Sequence, residues 1–290
     1  MFALPALLIL LLACTPKTEE LVLKKRPVLV LKEGRFYLTE RELGRVRAYA
    51  RALKIKVPER EEVERALRFY LSRKKQLELA LSRMKRYEEL IVPVLRRYGL
   101  PEELKYLPVV ESMYDPFAVS RSGAAGLWQL MPFTARRFGL RVDRTVDERF
   151  DPYRSTEAAA RYLKYLYEKF KNWELVLAAY NCGEGCVERR ARNGFWSSRH
   201  RLPAETQNYV PAFMAVLLVA TEPERYGLKV SGKTERIRAL KFDFPVTVSF
   251  VVRALDLNES AFRDLNPHIR SELIPPGTQI YLSEEAAFPP

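Results

Sequence analysis

The sequence predicts a mainly α protein that ends in a small α+β unit. Two observations carry this. From 39 to 227, apolar residues recur at helical spacing and no alternating strand pattern interrupts them. From 234 the period changes. ERIRALKFDFPVTVSF alternates as a strand does, VVRALDLNESAFRDLN returns to helical spacing, and PPGTQIYL reads as a short strand.

Each element has its own signal. Residues 17–38 are mixed and extended, and read as a linker. In TERE, 39–42, Thr39 fits an N-cap with Glu42 reaching back to it. Leu43, Val46, Ala50 and Leu53 then keep helical spacing. Pro58 with Glu59, Glu61 and Glu62 opens another helix, since proline suits a first turn and acids its positive end. Its stripe, Val63, Leu67, Tyr70, Leu71, Leu77, Leu81 and Met84, reads as packing. Pro101-Glu102-Glu103 repeats the opening signals. Leu104, Leu107 and Val110 share the face that follows, Pro108 marks a kink, and Glu111 comes directly after. Residues 155–170 form a helix with Ser155 as cap, and 173–181 a helix closed by Gly183 and Gly185. Residues 205–222 form a last, mostly apolar one. A linker from Gly227 to Gly232 leads to a βααβ-like unit near 241–282.

The chain has 290 residues, 48% of them hydrophobic, enough for one ordinary core and a smaller satellite. Its net charge of +13 suits an anionic partner: nucleic acid, membrane surface or polyanionic polymer. Residues 17–90 hold 21 Lys and Arg against 12 Asp and Glu, so +9 of the +13 lies in the N-terminal third. No basic cluster interleaved with aromatics and no nucleic-acid motif is present, so no nucleic-acid partner is expected. The excess reads as a solvated helical arm.

The chain opens with MFALPALLILLLACTP. Its apolar run is too short to span a bilayer and suits a signal-peptide core, although no Lys or Arg precedes it. Leu11-Leu12-Ala13-Cys14 resembles a bacterial lipobox, in which the cysteine thiol receives a diacylglyceryl group. Residues 1–13 are therefore expected to be a signal peptide and Cys14 the lipid anchor, with an uncleaved or an ordinary signal peptide as the alternative. Thr15 after Cys14, in place of aspartate, is compatible with the outer membrane. Export implies an oxidising compartment. There Cys182 and Cys186, in YNCGEGC, form an even pair that a disulfide can join. Zinc needs about four ligands, and His200 and His268 are not at ligand spacing. No metal and no cofactor is expected.

The sequence carries no nucleophile elbow and no Gly-rich phosphate loop. It offers a carboxyl, Glu111, against an apolar run. Burial disfavours the ionised form, so such an acid holds its proton near neutral pH and can deliver it. A glycosidic leaving oxygen needs that donor. Taken alone, Glu111 reads more readily as a helix-end or ion-pairing residue than as a catalytic acid. Asp115, Asp147, Asp151, Glu157 and Glu184 are the candidates for a second carboxyl.

ESMYDPFAVSRSGAAGLWQLMPFTARRFGL, 111–140, resembles the soluble-lytic-transglycosylase (SLT) domain family, which has a lysozyme-like fold. VDERFDPYRSTEAAARYLKYLYEKFKNWELVLAAYNCGEG and LPAETQNYVPAFMA continue the match in order, over roughly 88–228. The resemblance implies a catalytic domain at 88–228, preceded at 14–87 by a membrane-proximal linker and helical arm. It implies cleavage of the β-1,4 bond between N-acetylmuramic acid and N-acetylglucosamine in peptidoglycan, leaving a 1,6-anhydromuramoyl end. Glu111 matches the glutamate that such enzymes use first as acid and then as base. One carboxyl suffices because the nucleophile, the muramoyl 6-hydroxyl, is already tethered to the reacting sugar. A hydrolase wants a second carboxyl about 5–10 Å away. Ser120 and Gln129 match the family's substrate hydrogen-bonding pair. Tyr180 and Asn181 match its Ala-Tyr-Asn motif, and Tyr209 the tyrosine of its last helix. Trp128 walls the cleft or packs in the core, and both readings stay open.

More weakly, 234–284 resembles a LysM glycan-binding module through LNP, 265–267, and PPGTQIYL, 275–282. The expected partners are peptidoglycan glycan strands and, through the lipid anchor, a membrane. The expected location is the bacterial cell envelope, facing the periplasm, at the outer membrane. A lysozyme-like hydrolase on the same fold and a non-catalytic wall-binding lipoprotein remain the other two readings.

Overall fold

The computed structural model describes residues 29–32, 35–38, 55–232 and 236–283. The signal peptide, Cys14 and the Thr39 cap lie outside the described residues. β1 (Leu29–Lys32) and β2 (Arg35–Leu38) pair antiparallel, with Lys32 opposite Arg35. The backbone there is extended as the sequence suggests, but paired as a hairpin instead of running on as a linker.

α1 (Glu61–Ser72) starts after Pro58, with Glu61, Glu62 and Glu64 in its first turn, where the helix dipole favours acids. The apolar stripe divides between two helices, because the chain breaks at Arg73 (φ −115°, ψ 40°) before α2 (Lys74–Arg97). Every stripe residue from Val63 to Met84 is buried. Pro101 does not open an α-helix: Glu102–Tyr106 is a 3-10 turn, and α3 (Leu107–Ser112) follows it with Pro108 in its first turn. Pro108 thus marks the change of helix type. α4 (Pro132–Arg137) and α5 (Pro152–Phe170) come next. Asp151, not Ser155, caps α5, accepting from the Tyr153 and Arg154 amides. The Ser155 hydroxyl instead donates to the Asp151 carbonyl.

α6 (Trp173–Cys182) ends at Gly183 (φ 84°); Gly185 lies inside α7 (Glu184–Arg190). After α8 (Phe195–Ser198) comes α9 (Ala204–Thr221), buried nearly all round. It packs against α1, α6 and α3 and is the centre of the core. The core that holds α9 also holds Ile55, Val63, Leu77 and Tyr87. The expected boundary at 87/88 therefore falls inside α2, and α1 is part of the helical body instead of a separate arm.

Beyond α9 the chain does not hang free. The Lys229 and Ser231 amides donate to Glu78 Oε1 (2.7 Å) and Ser82 Oγ (3.1 Å) on α2. The C-terminal unit has β3 (Ile237–Lys241), β4 (Val246–Thr247), α10 (Val248–Ala254), α11 (Glu259–Leu265), β5 (Leu273–Ile274) and β6 (Gln279–Ser283). β3 pairs antiparallel with β6, and β4 with β5. Val248, Val251, Phe262, Ile274 and Ile280 form its own small core.

Between α3 and α4 the chain makes the turns that the small residues allow. Val119 bridges Ala125, Ala125 bridges Leu130, and Gly126 turns with φ 75°. A Cβ there would lie 1.9 Å from the Arg149 carbonyl oxygen. Gly126→Ala is therefore expected to destabilise the fold by more than about 2 kcal/mol, from positive-φ strain plus overpacking. A urea-denaturation midpoint indistinguishable from wild type would refute this.

Candidate active site

Glu111 sits in the last turn of α3, a helix of 6 residues whose Leu107 and Val109 are fully buried. Met113 (φ 52°) and Tyr114 (φ 57°) end the helix in left-handed conformations. Ser112 ties this end to the following loop, its hydroxyl donating to the Leu127 carbonyl at 2.9 Å. Glu111 itself is half-buried.

Tyr209, delivered by α9, donates its phenol hydrogen to Glu111 Oε1. Tyr180 on α6 and Tyr70 on α1 complete a group of phenols from separate helices. All of them are raised, first by burial and next by the negative charge of Glu111, Tyr70 to about 12. Glu111 is pushed up to about 8, chiefly by burial. The Tyr209 hydrogen bond works against this shift and the charge of Glu205 reinforces it. A carboxyl so placed is protonated at neutral pH and can act as an acid. Burial of the protonated form contributes stability that is whole below the free-carboxyl value of 4.5 and is lost as pH rises through about 8, where ionising the buried group opposes folding.

The other expected residues are brought to the same region, with different roles. Tyr180 donates to the Trp128 carbonyl at 2.8 Å and not to Glu111. Asn181 bridges to the start of α9, donating to Glu205 Oε1 (3.0 Å) and accepting from the Thr206 hydroxyl (2.7 Å). Gln129 (φ 46°) uses both amide hydrogens on the Ala118 and Gly126 carbonyls. Only its carbonyl oxygen is left for a ligand. Ser120 accepts from the Ala124 amide at 3.0 Å and lies 3.0 Å from the Ser122 hydroxyl. Both residues thus shape the loop that carries them. Trp128 is fully buried, donating to Thr156 Oγ1 at 2.8 Å, so it packs the core and does not wall a cleft. Cys182 and Cys186 are free thiols, not the disulfide that the sequence allows. Burial and the neighbouring Cys186 push the Cys182 thiol up to about 12.

The candidate second carboxyls are otherwise engaged. Asp147 pairs with Arg149, Glu157 with Arg97, and Glu184 with Arg137. Asp151 caps α5 and Asp115 accepts from the Phe117 amide. Glu205 escaped the sequence reading, although it stands four residues before Tyr209, the spacing that puts two residues on one helix face. Tyr70 was legible as a packing residue, and no local signal connects it to Glu111. The cavities lined by Leu81, Met84 and Leu228, and by Leu257, Phe262 and Leu282, include none of these residues.

Residues 92–202 match the family model "Transglycosylase SLT domain". Over 234 residues the chain is 32% identical to membrane-bound lytic murein transglycosylase D of Escherichia coli (strain K12), covering 77% of this chain and 51% of that protein. It is 27% identical to membrane-bound lytic murein transglycosylase C of Histophilus somni (strain 2336), over 55% of this chain and 48% of that one. The chain therefore spans about half the length of these relatives. A solved structure of lytic transglycosylase Slt from Pseudomonas aeruginosa is 25% identical with a TM-score of 0.41, covering 48% of this chain and 24% of that one.

The environment of Glu111 generates paired, opposite expectations. Tyr209→Phe removes the bond that stabilises the carboxylate, so the Glu111 pKa rises above about 8. Glu205→Gln removes a like charge, so the pKa falls. Carbon-detected NMR titration of the Glu111 carboxyl reads both, and shifts of the same sign would refute the assignment.

Proposed function

Residues 92–202 belong to the transglycosylase SLT domain family, and from that premise we propose that the chain is a peptidoglycan lytic transglycosylase. It cleaves the β-1,4 bond between N-acetylmuramic acid and N-acetylglucosamine and leaves a 1,6-anhydromuramoyl end. The observation that carries the reading is a carboxyl raised to about 8 and held by the Tyr209 phenol.

In the first step the protonated Glu111 gives its proton to the glycosidic oxygen as the bond to the muramoyl C1 breaks. The electron pair of that bond leaves with the departing sugar. The muramoyl C1 becomes oxocarbenium-like, and the substrate's N-acetyl group can stabilise it. In the second step the muramoyl 6-hydroxyl attacks C1 and the Glu111 carboxylate takes its proton, regenerating the acid. The attack is intramolecular, so no water has to be positioned. Tyr209 holds the carboxyl through both states, since a phenol donates to either. The loop carrying Ser120 and Gln129 offers acceptors and small backbone to the glycan, with Asn181 and Tyr180 bracing the far side.

The names of the relatives, membrane-bound lytic murein transglycosylases, support placement in the cell envelope. Cys14 is the proposed lipid anchor, facing the periplasm at the outer membrane. Among the described residues no helix is long and apolar enough to cross a membrane. One observation favours a second reading, a lysozyme-like hydrolase: Glu205 lies close enough to act on the Glu111 charge. It would then serve as base for a water.

Digestion of purified peptidoglycan followed by mass spectrometry separates the two. Anhydromuropeptides are the expected product, and reducing ends would establish the hydrolase instead. Glu111→Gln is expected to lower the cleavage rate by at least a thousandfold with sacculus binding retained. Wild-type rates in that variant would remove Glu111 from the chemistry.

A further inference from the structure

The C-terminal unit is attached to the catalytic body by more than its linker. Ile269 forms an antiparallel bridge with Val146. The Asp147 amide donates to the His268 carbonyl, and the Arg270 amide to the Thr145 carbonyl, each at 3.0 Å. Tyr281 on β6 donates its phenol hydrogen to Asp151 Oδ1 at 2.8 Å, both residues being buried. His268, fully buried, places Nε2 2.8 Å from the Gln279 carbonyl and 3.8 Å from Asp151 Oδ2. The Arg270 guanidinium lies over the Phe150 ring at 5.2 Å. Apart from the His268–Gln279 contact, which lies within the unit, each of these contacts falls on residues 145–151.

That same segment is the floor of the loop between α3 and α4. Asp147 holds Arg149 through both carboxylate oxygens, at 2.9 and 2.7 Å. Arg149 in turn donates to the Gly123 carbonyl at 2.6 Å and to the Leu130 carbonyl at 3.3 Å, holding the loop at its middle and near its C-terminal end. Gly126 presses on the Arg149 carbonyl so closely that no Cβ fits. Asp151 caps α5, whose Thr156 accepts from Trp128, the residue before Gln129. The bonds to Asp147 and Asp151 therefore connect, through Arg149 and through α5, with the backbone that carries Ser120 and Gln129.

We infer that the C-terminal unit is a positioning element of the active site, fixing residues 145–151 and, through Arg149 and α5, the glycan-facing loop 118–130. Tyr281 is its principal positioning residue. A tether that only binds wall polymer has no need for a buried phenol–carboxylate bond to the catalytic body, or for backbone pairing with it. A unit that must hold a loop steady needs both. The inference rests on the proposed transglycosylase reading for its substrate, but the loop's dynamics can be read without one.

The test uses the full chain and Tyr281→Phe, which keeps the ring and removes the donor. Two readouts are taken. One is deuterium exchange of the 118–130 amides. The other is kcat and KM on a soluble peptidoglycan tetrasaccharide and on intact sacculi. The expected result is exchange in 118–130 at least threefold faster. With it, kcat falls three- to tenfold on both substrates and KM stays within twofold. Phe250→Ser, on the exposed side of the unit away from these contacts, is expected to change neither readout. Arg270→Ala is a milder second variant, judged by the same criteria if Tyr281→Phe does not fold. Unchanged exchange in 118–130 with unchanged kcat would overturn the inference. So would a rise in KM confined to sacculi, which is the behaviour of a tether. Absence of anhydro products from the wild type would defeat the transglycosylase reading instead, and leaves the exchange result to decide this one.

Discussion

A carboxylic acid keeps its proton in neutral solution only behind walls, and helices distant in sequence supply them to Glu111. α3 is too short to bury its own C-terminal turn, so the walls come from elsewhere: Tyr209 from α9, Tyr180 from α6 and Tyr70 from α1. α9 can deliver Tyr209 with little freedom because nearly every side chain around it is buried. Phenols suit the task. They exclude water over a wide ring, donate one hydrogen bond, and stay neutral at the pH where the acid works. Burial and the hydrogen bond act in opposite directions on Glu111, and burial prevails.

The loop between α3 and α4 obeys a second constraint, close approach of backbone to backbone. Its small residues are not a general relaxation of the chain. Gly126 is required by the Arg149 carbonyl, and Ala125 sits in paired bridges on either side. Arg149 then supplies the donors that the loop carbonyls lack, and Asp147 neutralises Arg149 in a largely buried setting. Such a pair costs desolvation energy and is worth keeping where geometry matters more than stability. The C-terminal unit closes this chain of support from outside.

Much of the candidate site was legible in the linear sequence. Glu111 stands out as an acid against an apolar run, and Tyr180, Asn181 and Tyr209 occupy recognisable motif positions. What was not legible depends on contacts between distant segments. Tyr70 lies in an ordinary amphipathic stripe, and nothing local distinguishes a tyrosine that only packs from one whose phenol feels the charge of Glu111. Trp128 next to Gln129 looked equally fit for a cleft wall, until Thr156 offered its indole a partner inside the core. Arg149 reads as one more basic residue in a basic chain.

By itself, the sequence determined the helical class, the change of period near 234, the location of the acid and the need for small residues after it. These follow from short-range physics: hydrophobic periodicity, capping and backbone sterics act over a few residues and leave their mark in the string. Only the tertiary structure decided that α1 and α2 belong to the main helical core, that the charge of Glu205 reaches Glu111, and that the C-terminal unit pairs with residues 145–151 beneath the loop. Those outcomes depend on which buried groups meet across 98 residues between Glu111 and Tyr209, or 130 between Asp151 and Tyr281. Desolvation and hydrogen bonding at such separations are properties of the packed interior, and no local pattern encodes them.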